Sequence, residues 1–273
     1  VARRRIGFWY RLCAVLLRPP LLVLTKRDWR GVEHIPPTGG FIAVANHNTH
    51  LDPVTFAHYL FDNGRLPRFL AKSGLFRTPV IKHVVRGSGQ IPVYRESRDA
   101  MRAYSAALDA VRAGECVVVY PEGTITRDPH LWPMVGKTGA ARIALATGAP
   151  VIPFAQWGMH ELLAPYAKRP HLFPRKTNRV LGGPPVDLSA YQDKPVTPEL
   201  VRAATEDIMA AITTLLVDLR GEPAPTERFD PREHGMTGYG KPLADTRPQE
   251  PAADQEPVSD ARRAGEEANR GKR

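Results

Sequence analysis

"FIAVANHNTHLDP", residues 41–53, is the stretch on which the reading of this chain turns. A short apolar run, Phe41–Ala45, passes directly into Asn46, His47, Asn48, Thr49 and His50, and the segment closes on Asp52-Pro53. A run of this length bounded by polar residues predicts a buried strand. Asp followed by Pro is a helix-opening pair, so a helix is expected over "PVTFAHYLF". Strand, loop and helix in that order begin an α/β unit.

The loop raises a chemical question. On one regular helix, residues five apart lie about 140° around the axis and do not meet. With His47 in the loop and Asp52 at the helix start, the two can touch. Asp52 would then accept from one imidazole nitrogen and leave the other to take a proton, which is the base-and-orienter half of a serine-hydrolase arrangement. Histidine titrates near neutrality and suits that task. The plainer alternative makes Asp52 a helix cap and His47 an ordinary loop residue.

Outward from this segment the strand-like and helix-like stretches alternate. "PRFLAK" (67–72), "QIPVYR" (90–95), "CVVVYPEG" (116–123), "APVIPFAQWG" (149–158) and "RVLGGPPVDL" (179–188) are expected strands. "RDAMRAYSAALDAVRAG" (98–114) and "TGAARIALATG" (138–148) are expected helices, each stopped by glycine. Between Pro198 and Leu219, Leu200, Ala204, Ile208, Ile212, Leu215 and Leu219 recur at helical spacing, a core-packing stripe. The expected fold is α/β, a central, mostly parallel sheet flanked by helices and preceded by an N-terminal membrane-interfacial helical segment.

That segment is residues 1–30. It starts with an arginine cluster and mixes Phe8, Trp9, Leu12, Val15 and Leu16 with Arg4, Arg11 and Arg18 spaced seven apart. An arginine stripe beside an aromatic-aliphatic face is the pattern of a helix lying in a membrane interface. Pro19-Pro20 should break it, with residues 21–24 as a second short piece. The longest run without charge or proline, residues 12–17, is far below the roughly 20 residues a membrane span needs. Beyond Gly221 the composition turns to Pro, Gly and charge, so residues 221–273 are expected to be a disordered tail.

The net charge of +10 lies in the body. Residues 221–273 hold 9 Lys/Arg and 11 Asp/Glu, leaving +12 on residues 1–220. Such a body suits an anionic partner, whether nucleic acid, anionic membrane, or a phosphorylated or CoA-like substrate. The two cysteines, Cys13 and Cys116, neither make a disulfide framework nor offer metal-ligand spacing.

Two further constellations accompany His47 and Asp52. In "VVVYPEGTITRDP" (117–129) a buried strand runs into Glu122-Gly123-Thr124, with Arg127 near enough to add a charged fork. Lys72 and Arg95 end two of the expected strands; if those strands run parallel to the first, both cations emerge beside His47. There is no G-x-S-x-G elbow, so a base without an enzyme nucleophile points to a substrate hydroxyl as the attacking group. "VGKTG" (135–139) mimics the end of a P-loop, but Leu131 stands where that pattern requires glycine.

Four blocks in order resemble the glycerophospholipid acyltransferase family, which includes 1-acyl-glycerol-3-phosphate acyltransferases. They are "GVEHIPPTGGFIAVANHNTHLDP" with its N-H-x4-D, "AKSGLFRTPVI…GSGQIPVYR", "VVVYPEGTITR" and "GAPVIPFAQWG", spanning about Val32 to Gly158. The resemblance implies an acyltransferase domain over 31–220, with His47 as general base oriented by Asp52. A lysophospholipid acceptor would be acylated from an acyl thioester on CoA or acyl carrier protein, with no other cofactor and no metal. Lys72, Arg95, Glu122, Gly123, Thr124 and Arg127 would hold the acceptor's phosphate and glycerol. It further implies a peripheral or monotopic protein on the cytoplasmic face of an anionic membrane, with no nucleic-acid partner. Ile125 departs from the family, which commonly has Arg directly after Glu-Gly-Thr. A basic nucleic-acid-binding module, or an esterase or thioesterase using the same His–Asp pair, are the alternatives.

Overall fold

The computed structural model describes residues 7–93 and 99–237. In chain order the elements are α1 (Phe8–Leu24), β1 (Thr25–Arg30), β2 (Phe41–Ala45), α2 (Asp52–Asp62), β3 (Pro67–Lys72), α3 (Ile81–Gly87) and β4 (Ile91–Val93). There follow α4 (Asp99–Arg112), β5 (Cys116–Val119), α5 (Gly139–Thr147), β6 (Val151–Trp157), α6 (Met159–Leu162), β7 (Lys176–Gly182) and α7 (Pro198–Arg220). The seven strands form one sheet in the order β1-β7-β6-β2-β5-β3-β4. Every neighbouring pair is parallel except β6 and β7. This is the α/β architecture with a mostly parallel sheet that the alternating pattern predicts.

β2 lies mid-sheet between β5 and β6, and all five of its residues are buried. Ile42 and Val44 pack on one face with Val117 and Val119, beneath α4, α5 and α7. Phe41, Ala43 and Ala45 pack on the other with Val118, Phe154 and the α2 residues Phe56, Tyr59 and Leu60. A strand covered on both faces needs apolar residues at every position, which explains why "FIAVA" lacks alternation. Each large side chain so buried contributes about 1.5–3 kcal/mol. Parallel β2, β5 and β6 deliver their following loops to one edge of the sheet, and this edge carries the site.

α7 is capped as its sequence predicts. The Thr197 side chain accepts from the Leu200 N–H at 3.2 Å, Pro198 opens the first turn and Gly221 closes the helix at φ +69°. Its buried face includes Ala204, Ile208, Ile212 and Leu219 of the expected stripe, together with Val201, Met209 and Leu216.

Three sequence expectations change at the N-terminus. The helix does not break at Pro19-Pro20; α1 runs through both. Proline's fixed φ is already helical, and the carbonyls of Val15 and Leu16, deprived of their donors, belong to residues 69% and 62% exposed. Thr25–Arg30 is a strand of the sheet, paired in parallel with Lys176–Leu181, so the N-terminal segment ends at Leu24 and not at residue 30. Arg18 points to α2, pairing with Asp62 at 3.2 Å, and so leaves the expected arginine stripe. Arg4 lies outside the described residues.

The expected tail likewise divides. Within it the Phe229 carbonyl accepts from Val135 N–H at 3.1 Å, and Arg228 pairs with Glu206 of α7. Residues 238–273 lie outside the described residues. Among the described residues no helix is long and apolar enough to cross a membrane.

Candidate active site

His47 stands two residues beyond β2, and its position is fixed from several directions. Asn46, between strand and histidine, exchanges hydrogen bonds with Gln156 of β6. Its amide donates to the Gln156 carbonyl at 3.0 Å and its oxygen accepts the Gln156 N–H at 2.7 Å. The His47 N–H donates to Glu122 Oε1 at 3.0 Å, and the His47 carbonyl accepts from Thr126 N–H at 2.7 Å. The imidazole stacks on Tyr120, ring centroids 4.3 Å apart.

The imidazole and carboxylate do meet. His47 Nδ1 lies 3.0 Å from Asp52 Oδ2, with the side chains 13% and 3% exposed. The same oxygen accepts the N–H groups of Asn48 at 2.6 Å and Thr49 at 2.8 Å. Three donors on one carboxylate oxygen hold it as an acceptor, so Nδ1 is the donating nitrogen of the pair and Nε2 is left outside it. Asp52 is the first residue of α2 but does not cap it: Leu51 stands at the N-cap, and the carboxylate turns back to Asn48, Thr49 and the histidine.

Glu122 behaves differently from its expected role as a ligand of the acceptor. It is buried (1% exposed), with Oε1 on the His47 N–H and Oε2 on the Met134 N–H at 3.0 Å. Burial pushes its carboxyl up to about 8, outweighing the two backbone donors that act in the opposite sense. Its carboxyl is a clamp under the histidine, facing away from solvent. Gly123 follows in a turn at φ +70°, where the Lys137 side chain comes within 3.1–3.2 Å of the position a Cβ would occupy. Lys137 belongs to the P-loop mimic; instead of following a strand, its N–H bonds the Pro121 carbonyl at 2.8 Å. Thr124 is half-buried at the turn, and Ile125 is core.

Arg127 approaches from the same loop. Its guanidinium lies 3.7 Å from the centroid of the Tyr166 ring, and its Nε is buried with no hydrogen-bond partner among the described residues. Tyr166 donates its hydroxyl to the Ile125 carbonyl at 2.5 Å. The loop after α6 also reaches Thr49, whose hydroxyl donates to the Leu163 carbonyl at 2.6 Å. Lys72 is exposed at the C-terminal end of β3, on the sheet edge that carries His47. Arg95 lies outside the described residues.

An apolar cavity of about 340 Å³ adjoins this edge, walled by α1, α2, α3 and β3 through Cys13, Leu17, Val54, Phe61, Phe69 and Val84. His50, three residues beyond His47, also lines it. Phe69 stacks on Tyr120 at 6.2 Å, so a run of rings leads from the cavity wall to the imidazole. Sequence reasoning missed Tyr120, Gln156, Tyr166 and Lys137. Tyr120, directly ahead of Pro-Glu-Gly-Thr, was the one with a local signal.

The site is thus a histidine–carboxylate pair at the open edge of a mostly parallel sheet. Residues 26–157 match the family model described as Acyltransferase, and the chain carries an acyltransferase-family domain. It is 32% identical over 140 residues to a chloroplastic 1-acyl-sn-glycerol-3-phosphate acyltransferase of Brassica napus, covering 50% of this chain and 39% of that protein. It is 35% identical over 124 residues to the 1-acyl-sn-glycerol-3-phosphate acyltransferase of Borreliella burgdorferi, covering 45% and 48%. The chain therefore spans less than half the length of these relatives. In fold it is similar to the crystal structure of the 1-acyl-sn-glycerophosphate acyltransferase PlsC from Thermotoga maritima. The TM-score is 0.56 at 22% identity, over 79% of this chain and 81% of that one.

Proposed function

We propose that this chain transfers a fatty acyl group from a thioester to the free hydroxyl of a lysophosphatidic acid-like acceptor, a step of phospholipid synthesis. The carrying observation is His47, held by Asp52 through Nδ1 with Nε2 left for substrate, beside an apolar cavity. Nε2 takes the acceptor's hydroxyl proton as its oxygen attacks the thioester carbonyl. The tetrahedral intermediate collapses by breaking the carbon–sulfur bond, and the imidazolium returns the proton to the departing thiolate. The products are the diacylated lipid and free thiol, and no acyl-enzyme forms.

Arg127, pre-set against Tyr166 with an unpartnered Nε, is the cation best supported for the acceptor's phosphate. Lys72, Arg95 and the Gly123-Thr124 turn complete that reading. The cavity suits an acyl chain. CoA or acyl carrier protein would bring the acyl group, and the chain would work as a peripheral or monotopic protein at the cytoplasmic face of an anionic membrane.

The test offers the purified protein acyl-CoA and a panel of lysolipids, with products identified by mass. A new diacyl phospholipid, absent with His47→Ala, is the expected result. Thiol release that ignores the added lysolipid would establish hydrolysis and overturn transfer.

A further inference from the structure

The connection from α6 to β7 carries a feature the proposed chemistry does not use. Residues 168–175 read "KRPHLFPR", and every one of them is exposed. Leu172 and Phe173 are 40% and 77% exposed, which puts apolar surface in water. Lys168, Arg169 and Arg175 surround this pair, and no Asp or Glu occurs between residues 162 and 186. The loop is not loose. The His171 N–H donates to the Leu162 carbonyl at 2.7 Å, closing its base. Arg175 Nη2 donates to the carbonyls of Leu22 and Thr25, both at 2.8 Å. That guanidinium therefore fastens the loop to the C-terminal end of α1.

α1 brings a surface of the same kind. None of its residues is buried, and Phe8, Val15, Leu16 and Val23 are 62–70% exposed. The helix contains no acidic residue. The apolar helix face and the apolar loop tip with its flanking basic residues are thus fastened together through Arg175 as one surface feature. Its chemistry complements a bilayer interface containing anionic lipid, in which apolar side chains enter the acyl region and basic ones meet headgroups.

We infer that residues 168–175 are a second membrane-contacting element, inserting Leu172 and Phe173 beside α1. This deepens the proposed membrane-bound function, and rests on it for the choice of a lipid surface as occupant. Two attachment points hold the protein in one orientation on the bilayer, where a single helix would leave it free to roll.

The experiment is co-sedimentation of the full chain with vesicles of phosphatidylcholine alone or mixed with phosphatidylglycerol. The L172S/F173S double variant, altered only at exposed positions, should bind the mixed vesicles about tenfold more weakly than wild type, with an unchanged melting temperature. K168E/R169E should weaken binding about as much at low salt and show a flatter salt dependence. Phe173→Trp should gain fluorescence quenched by brominated lipid. Unchanged vesicle affinity in both folded variants would overturn the inference. So would a dimer that L172S/F173S dissociates while lipid binding persists. Should wild type show loop-dependent binding but no acyl transfer to any lysolipid, the functional reading would fail while the membrane contact stands.

Discussion

Asp52 accepts a hydrogen bond from His47 and two from backbone N–H groups through one buried oxygen, so it has a structural duty that His47 lacks. Removing the carboxylate strands two donors, each costing on the order of 1–3 kcal/mol, whereas removing the imidazole chiefly loses its stacking on Tyr120. Both His47→Ala and Asp52→Ala should abolish transfer. Asp52→Ala should also melt well below wild type, and His47→Ala only a few degrees below it. Calorimetry of the two variants checks this, and equal melting would remove the structural role.

Glu122 supplies a pH signature. Its carboxyl titrates at about 8 in the folded protein against the ordinary 4.5, so the folded state binds the proton more tightly. The stability this lends is complete below about pH 4.5 and is lost as pH rises through 8. Glu122→Gln has no such proton to lose. Relative to wild type, its melting temperature should therefore climb from pH 5 to pH 8. Melting curves across that range check it, and parallel profiles would show that Glu122 is not held protonated.

The His47–Asp52 pair was readable because His47 lies in the loop, Asp52 opens the helix five residues on, and the proline marks that start. Glu122's task was not readable. Its carboxylate reaches a backbone N–H 75 residues away, a contact that no local spacing encodes. Arg127 was recognisable as a cation near the turn, but the ring that holds it, Tyr166, belongs to a different loop.

Among the elements, buried strands and the amphipathic α4 and α7 were legible from composition and period. β1 was not. "TKRDWR" carries four charges in six residues, as an edge strand with one neighbour can, and so resembles linker. α3 was missed because its seven residues are too few to establish a period. The expected break in α1 failed because two consecutive prolines on an exposed helix surface need no packing to be rearranged. That exposed surface has a direct test. V15D/L16D should reduce binding to anionic vesicles several-fold with the fold retained, read by sedimentation and circular dichroism. Undiminished binding would mean that α1 does not face lipid. Truncating residues 1–30 would be a poor test, since it also removes β1 from the sheet.

At the scale of the whole molecule, the positive body identified a class of partner but not a surface. The loops that build the site follow β2, β5 and β6, and they are bonded to one another as well as to their own strands. The histidine's amide and carbonyl bond to the loop after β5, and its neighbour Asn46 bonds to Gln156 of β6. Parallel strand order made this shared edge foreseeable; the cross-loop bonds were not.

Those bonds leave the histidine little scope to lose its alignment while the sheet survives. On heating, turnover and the far-ultraviolet signal should decay along superimposable curves, with neither an inactive compact form preceding collapse nor a competent fragment outlasting it. The proposed activity and the fold would be lost as a single cooperative event.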